Sequence, residues 1–492
     1  MTARRHSSNA APRAVVVGSG PNGLTAAALL ARQGWEVDVY EGGEHPGGAA
    51  ASAPLLGEGT IVDLGAAGHP FGVASPVFRD LRLEQHGLQW VRSAYPMAHP
   101  AEGAPAALLH QDLASTAEGL GRDARAWRAL HAPVVEGLDA HLENILGPML
   151  RWPKHPLAMA RFGLRSAPPA AAMARALFRD DAARTLFLGS AAHAITPLGQ
   201  PLTGAFGTLF GALGMTRGWP VARGGTGSIV AALLSVLEAH GGRVHTGHWV
   251  TDLRELPQAD AVLLNLTPSQ VLRLSGPGAE EIPPRVRNQL GRWRHGAAAY
   301  KVDFLLDGPV PWSDPRVAEA TTVHVAGTAQ ELVRAESEVF RERLPERPFV
   351  LVCQQQAADP SRAHGPAEGR VVLWAYAHVP AGYVERRPGE AAERIASQIE
   401  RFAPGFRDRI LERRSTHPAA LEQWNPNLIG GDVAGGAMTG LQSVLRPRPS
   451  LDPYRLAPRG LYLASSSAPP GAGVHGMPGA WAAHAAMADL AP

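Results

Sequence analysis

Residues 14–41 read AVVVGSGPNGLTAAALLARQGWEVDVYE, and the fold follows from this stretch. AVVV suits a buried strand, GSGPNG a tight turn, LTAAALLARQ a helix, and EVDVY a second strand in which Val37 and Val39 alternate with polar residues. Gly34 follows the helix where a left-handed C-terminal cap is wanted. Strand, turn, helix and strand in that order make half of a dinucleotide-binding fold. In Gly18-Ser19-Gly20-Pro21-Asn22-Gly23 the first glycine permits the turn, the second lets backbone approach a pyrophosphate, and the third lets helix pack on strand. The helix N-terminus then offers amides and dipole to negative charge. Glu41 ends the second strand 23 residues after Gly18, where a carboxylate can bind a ribose hydroxyl pair and would repel a 2'-phosphate. A second glycine cluster, Gly224-Gly225-Thr226-Gly227, lacks both a long apolar strand before it and an acid at the right distance after it. It is not read as a separate NAD(P) site.

Outward from this unit, 492 residues suffice for two domains. With 45% hydrophobic and 18% charged residues, the chain is expected to fold on its own. A net charge of +2 gives no electrostatic case for a nucleic-acid partner. The single cysteine, Cys353 in FVLVCQQQ, excludes an intramolecular disulfide and a CxxC redox pair, and reads as a buried strand residue. Redox chemistry must therefore come from a cofactor. The histidines show no metal-ligand spacing, so no metal is assigned. The opening MTARRHSSNAAP is polar, the following apolar run is too short for an export signal, and residues 1–13 are expected to be disordered. The most apolar long stretch, 194–215, is broken by Pro197, Gln200 and Pro201, so no transmembrane span is read. A cytoplasmic protein is expected.

Residues 81–215, rich in Ala, Pro, Gly and Arg, read as an inserted, mostly helical layer. A glycine turn, the helix SIVAALLSVLEAHGG and the strands RVHTGHWV and AVLLNL resume the first domain before residue 285. Strand-like runs at 298–306, 321–325, 349–354 and 370–377 predict an antiparallel sheet in the second domain. GLYLASSSAP and MPGAWAAHAAMADL then supply a last strand and a closing helix. The chain is thus divided into a cofactor domain (14–80, 216–285 and 450–492) and a substrate domain (81–215 and 286–449).

Five ordered blocks carry a resemblance. They are the opening unit with Pro46-Gly47-Gly48-Ala49-Ala50, then GWPVARGGTGSIVAAL (218–233), YKVDFLLDGPVPW (300–312), WNPNLIGGDVAGG (424–436) and GLYLASSSAPPGAGVHGMPG (460–479). Together they resemble the phytoene-desaturase-like branch of the FAD-dependent amine oxidase superfamily, nearest to the members related to β-carotene ketolases. Gly48-Ala49-Ala50 stands where desaturases proper carry Gly-Gly-Arg, and Ser465-Ser466-Ser467 replaces the usual glycine-led turn. The resemblance implies an α/β protein: a Rossmann-like FAD-binding domain of the glutathione reductase/p-hydroxybenzoate hydroxylase type, interleaved with an α+β substrate domain holding a mixed or antiparallel sheet.

It also implies a role for particular residues. Gly18 to Gly23, with Ser19, Pro21 and Asn22, would hold the pyrophosphate, and Gly47, Gly48 and Ala49 would pass beside it. Glu41 and Gly42 would meet the ribose, Val250 would touch adenine through its backbone, and Ser465 and Ser466 would make hydroxyl contacts. The flavin would lie against Val474, His475, Gly476 and Met477, where the start of the closing helix stabilises negative charge on the reduced ring. Lys301 sits in a strand resembling the one whose lysine, in amine oxidases, reaches flavin N5 through water; the alternative is a lysine on an exposed strand face. Lys301 and His475 are the candidate catalytic residues, His475 being either a hydrogen-bonding partner near the flavin or a satisfied loop histidine.

The implied activity is dehydrogenation or desaturation, a substrate hydride passing to flavin N5. Amine oxidation, carotenoid ketolation and a non-catalytic flavin-binding role are the alternatives, and no aromatic pair of the amine-oxidase kind is evident in the sequence. The substrate is expected to be a small, apolar molecule. Arg151, Lys154, His155, Arg161, Arg165 and Arg175 among apolar residues of 146–178 have two readings, a solvated helix face, which is the commoner case, or peripheral contact with a membrane surface. Oligomeric state is left open.

Overall fold

Apolar β-branched residues at 15–17, 37 and 39 favour strands, and a parallel sheet buried on both faces is where such strands go. In the computed structural model, which describes residues 11–458 and 460–490, these two strands lie side by side at the centre of a five-stranded parallel sheet. Its order is Leu461–Leu463, Ala261–Leu264, Arg13–Val17, Glu36–Tyr40, Arg243–His245. Three separate stretches of chain therefore build one sheet. The opening helix, Pro21–Arg32, is buried along almost its whole length between that sheet, the helix Gly227–Ala239 and the closing helix Met477–Leu490.

The second sheet has seven strands, in the order Ile410–Thr416, Ala298–Leu306, Val371–Val379, Val350–Cys353, Ala320–Val325, Tyr95–His99, Ala107–Leu109. All pairs are antiparallel except Tyr95–His99 with Ala320–Val325, so the sheet is mixed. One face carries Val302, Phe304, Leu373 and Ala375 into a core closed by the amphipathic helix Glu390–Phe402. The other face looks towards the cofactor domain and a helical layer that includes Asp181–Ala192, Thr203–Gly214 and Ala329–Val339. Because side chains alternate along a strand, Lys301 and Asp303 on one strand, and Trp374, Tyr376 and His378 on another, share this second face.

The four strand runs expected in the second domain all form, and Cys353 lies buried at a strand end, its thiol pushed up to about 12 by burial. Three strands depart from expectation. Tyr95–His99 and Ala107–Leu109 come out of the stretch read as mostly helical and extend the second sheet. Ile410–Thr416 carries Glu412, Arg413 and Arg414, whose charges hide its strand character; they suit its position at the sheet edge. The expected boundary at 285/286 falls inside the helix Pro284–Leu290, and Leu290 packs with the cofactor-domain core. Of the expected disordered N-terminus, residues 1–10 lie outside the described residues. Arg13 already belongs to the first strand, its amide donating to Asp260 Oδ2 at 2.9 Å.

A buried ion cluster ties the two domains. Arg362 donates from Nη1 to Asp63 at 2.8 Å and from Nε to Asp359 at 3.0 Å, while Asp63 also accepts from the amide of Thr226 at 2.7 Å. Equally tight is the packing of the closing helix on the opening one, where a Cβ at Gly479 would stand 1.8 Å from the carbonyl oxygen of Asn22. Glycine to alanine within a helix ordinarily gains about 1 kcal/mol. Here overpacking outweighs that gain, and Gly479→Ala is expected to lower stability by about 1–3 kcal/mol, read as a lower melting temperature of the cofactor-free protein. An unchanged or raised melting temperature contradicts this packing.

Candidate functional site

The ends of the parallel strands converge on the turn 18–23. Gly18 lies at φ +94°, and a Cβ on Gly23 would sit 2.1 Å from the carbonyl oxygen of Gly18. A Cβ on Gly20 would sit 2.8 Å from Nδ2 of Asn265, the residue after the strand Ala261–Leu264, and that amide donates to Gly18 O at 3.4 Å. No side chain fits between turn and sheet. The first-turn amides of the opening helix have no intrahelical partner and are free for an anion. Asn22 Oδ1 is buried with no partner.

A cavity of about 1120 Å³ starts at this turn, larger than the roughly 300–1,000 Å³ of ordinary small-molecule pockets. At one end it is lined by Tyr40, Glu41, Trp249 and Val250; at the other by Lys301, Trp374, Tyr376 and Leu428. Of the residues expected to hold the cofactor, Gly18, Gly20, Pro21, Asn22, Glu41, Gly42, Gly48, Ala49, Val250, Ser465, Ser466 and Val474 all face it. Residues far apart in sequence thus share one cleft. Ser19, Gly23 and Gly47 stand behind the wall. Ser19 donates from its amide (2.8 Å) and hydroxyl (2.5 Å) to Glu41 Oε2, and the Gly47 amide donates to Ser19 Oγ at 3.3 Å. The amide of Gly43 donates to Glu41 Oε1 at 2.8 Å, so the carboxylate is locked at the strand end.

The closing block requires a correction. His475 does not line the cavity: its ring is buried against Phe71, its Nδ1 accepts from the amide of Met477 at 3.2 Å, and burial lowers its pKa to about 4. A neutral ring held this way caps the closing helix, and the catalytic role expected for it gives way to that structural one. Gly476 and Met477 are likewise set behind Val474, with Gly476 packed on Thr25 and Phe78.

Lys301 lines the cavity on a buried strand face, which excludes the exposed alternative. Its ammonium pairs with Asp303 and stands 5.8 Å over the Trp374 ring. Burial pushes both partners towards their neutral forms, lowering Lys301 and raising Asp303 to about 6, against their mutual attraction. Such a lysine can give up or take back a proton. Beside it, Trp374 and Tyr376 form an edge-on pair with ring centroids 5.2 Å apart. An aromatic pair is therefore present, contrary to the sequence reading, which lacked the strand register that puts residues 374 and 376 across from 303 and 301. The alternation W-A-Y-A-H was the available signal. Asn265 carried none, since its role arises only where two strand ends meet. Among the described residues no cluster of His, Cys, Asp or Glu is placed to hold a metal ion.

Over residues 22–476 the chain matches the family of flavin containing amine oxidoreductases. It is 26% identical to the pyridine nucleotide-disulfide oxidoreductase domain-containing protein 2 of Rattus norvegicus, over 97% of this chain and 93% of that protein. It is 27% identical to the hydroxyneurosporene desaturase of Cereibacter sphaeroides, over 98% of each. Among solved structures, an oxidoreductase from Methanosarcina mazei shares the fold with a TM-score of 0.63 at 18% identity, over 97% of this chain and 100% of that one. A dinucleotide turn, a strand-end carboxylate and one long cleft joining them to a buried lysine are what such a family needs to seat FAD. The chain belongs to the flavin-containing amine oxidoreductase family and is an FAD-dependent oxidoreductase.

Proposed function

We propose that the enzyme dehydrogenates an apolar, lipid-soluble substrate at a bond held beside Lys301, Trp374 and Tyr376. The observation that carries this reading is the wall of that end of the cavity. Ala299, Leu421 and Leu428 pack with Tyr376, Ile429 and Val433 line the same end, and its charged groups are already engaged, Lys301 by Asp303 and Glu422 by the amide of Gly430 at 2.8 Å. A hydrocarbon would meet surface of its own kind there. The relative named for hydroxyneurosporene supports the same class.

When bound, FAD supplies the two-electron acceptor. The chain's part is to seat it and to exclude water from the reacting end. Gly18, Gly20 and Asn22 would take the pyrophosphate with Gly48 opposite, Glu41 the ribose, Val250 the adenine, and Val474 with Ser465 and Ser466 the inner end. Amine oxidation is the second reading, favoured by the Trp374–Tyr376 pair and by the family itself. Anaerobic mixing separates the two: hydroxyneurosporene is expected to bleach the flavin absorbance and benzylamine to leave it unchanged. Bleaching by benzylamine alone contradicts the apolar reading.

Substrate of this class lives in membranes. No helix among the described residues is long and apolar enough to cross one, but Trp152, Leu157 and Leu164 are 85%, 73% and 84% exposed. Arg151, Lys154, Arg161 and Arg165 flank them in and before the helix Pro156–Ser166. We propose that this patch rests on an anionic lipid surface. In flotation with vesicles containing phosphatidylserine, the protein is expected to rise with the lipid, and Trp152→Ser/Leu164→Ser to stay behind. Equal behaviour of the two sinks the contact.

Glu41→Ala removes the carboxylate and releases both Ser19 and Gly43. FAD affinity is expected to fall about 10- to 100-fold by titration of the apoprotein, at roughly 1.5–3 kcal/mol for bonds to a charged group. An unaltered affinity removes Glu41 from the cofactor site.

A further inference from the structure

The strand Val371–Val379 carries a polar line that leads away from the cavity. Tyr376 lines the cavity, and its hydroxyl lies 3.2 Å from Nε2 of His378. Nδ1 of His378 lies 3.0 and 2.9 Å from the two carboxylate oxygens of Glu336. His378 and Glu336 are 2% and 1% exposed. Glu336 sits on the buried face of the helix Ala329–Val339 among Leu332, Ala335 and Val339, where the amphipathic pattern calls for an apolar residue.

A buried carboxylate paired to a single imidazole contributes little stability that apolar side chains would not exceed. Simple anchoring of helix to sheet would also leave Tyr376 without a part. The geometry fixes the direction of the bonds. A carboxylate accepts only, so His378 donates from Nδ1 to Glu336, and its Nε2 is left to accept the Tyr376 proton. The lone pairs of the Tyr376 oxygen are then left for a second donor, on a side chain that lines the cavity. Burial raises the phenol well above its usual range, which keeps it protonated in the resting enzyme.

Resting on the dehydrogenase reading, we infer that Tyr376, His378 and Glu336 are a proton relay that takes up the proton lost by the substrate as its hydride leaves. With FAD bound as the two-electron acceptor, one C–H bond would break and its electron pair would leave as hydride. The proton of the neighbouring C–H, or of N–H if the substrate is an amine, goes to the Tyr376 oxygen, while the electrons of that bond form the new double bond. Tyr376 gives its own proton to His378 Nε2, and Glu336 stabilises the resulting imidazolium until the oxidative half-reaction draws the proton off. Tyr376 is the catalytic residue; His378 carries the proton and Glu336 positions it.

Two measurements test the relay. Nitrogen-15 NMR of the histidine-labelled holoenzyme, with His378 assigned by its loss in His378→Gln, is expected to show Nδ1 protonated and Nε2 accepting. Tyr376→Phe should move the Nε2 signal, and Glu336→Gln should abolish the tautomer preference. In anaerobic stopped flow with hydroxyneurosporene or benzylamine, whichever reduces the wild type, Tyr376→Phe is expected to slow flavin reduction roughly 100-fold, with substrate Kd and melting temperature unchanged. A solvent deuterium effect is expected in the wild type and should vanish with it. Should Glu336→Gln fail to fold, Tyr376→Phe decides alone. A His378 protonated on Nε2, or a Tyr376→Phe variant that reduces at the wild-type rate, overturns the relay. The NMR result needs no substrate: if neither probe reduces the wild type, the substrate reading falls while the tautomer still decides for or against the relay.

Discussion

Three backbones meet where the first strand gives way to the first helix, and they meet too closely for any side chain. Gly18, Gly20 and Gly23 lie against Asn265 and against one another, with room between them for hydrogen only. Gly48 closes the other side, where a Cβ would come within 3.1 Å of the Gly20 Cα. This contact aims the free amides of the opening helix into the cleft, and it also brings strands from residues 13, 36, 243, 261 and 461 into one sheet. The rest of the cavity is built around that constraint. Glu41, locked by Ser19 and Gly43, marks one end; the second sheet delivers Lys301, Trp374 and Tyr376 to the other.

The parts of this architecture that were legible in the sequence are those governed by local chemistry. A turn that tolerates only glycine, a helix that follows it at once, and a strand ending in an acid are all written within 28 consecutive residues. The long apolar strands of the second sheet were legible too, each from its own apolar run. Strands whose pairing partners lie far away were not legible. Tyr95–His99 owes its place to residues more than 200 positions on, and Ile410–Thr416 carries the charges of a sheet edge, not the apolar residues of a core strand.

The site divides in the same way. Cofactor-facing residues could be named because backbone geometry selects glycine and small residues in fixed order. His475 misled because a histidine beside a glycine-rich loop looks the same in sequence whether it faces a ligand or caps a helix. Trp374, Tyr376, His378 and Glu336 escaped notice for the opposite reason. They come from a strand and a helix, and only the pairing of that strand with the Lys301 strand gives them a common purpose. Reactivity at this end comes from burial: a lysine and an aspartate held near neutrality, and a carboxylate with one imidazole partner, each unstable in isolation and useful together.

The central claim is that one cofactor spans the cleft from the opening helix to the second sheet, and a crystal structure of the FAD-bound enzyme tests it most directly. The pyrophosphate should lie on the amides at the start of the helix Pro21–Arg32, and the flavin ring should lie in contact with Val474 and within reach of Lys301 and Tyr376. A flavin ring seated away from the second sheet, with Lys301 and Tyr376 facing only protein, would contradict the account.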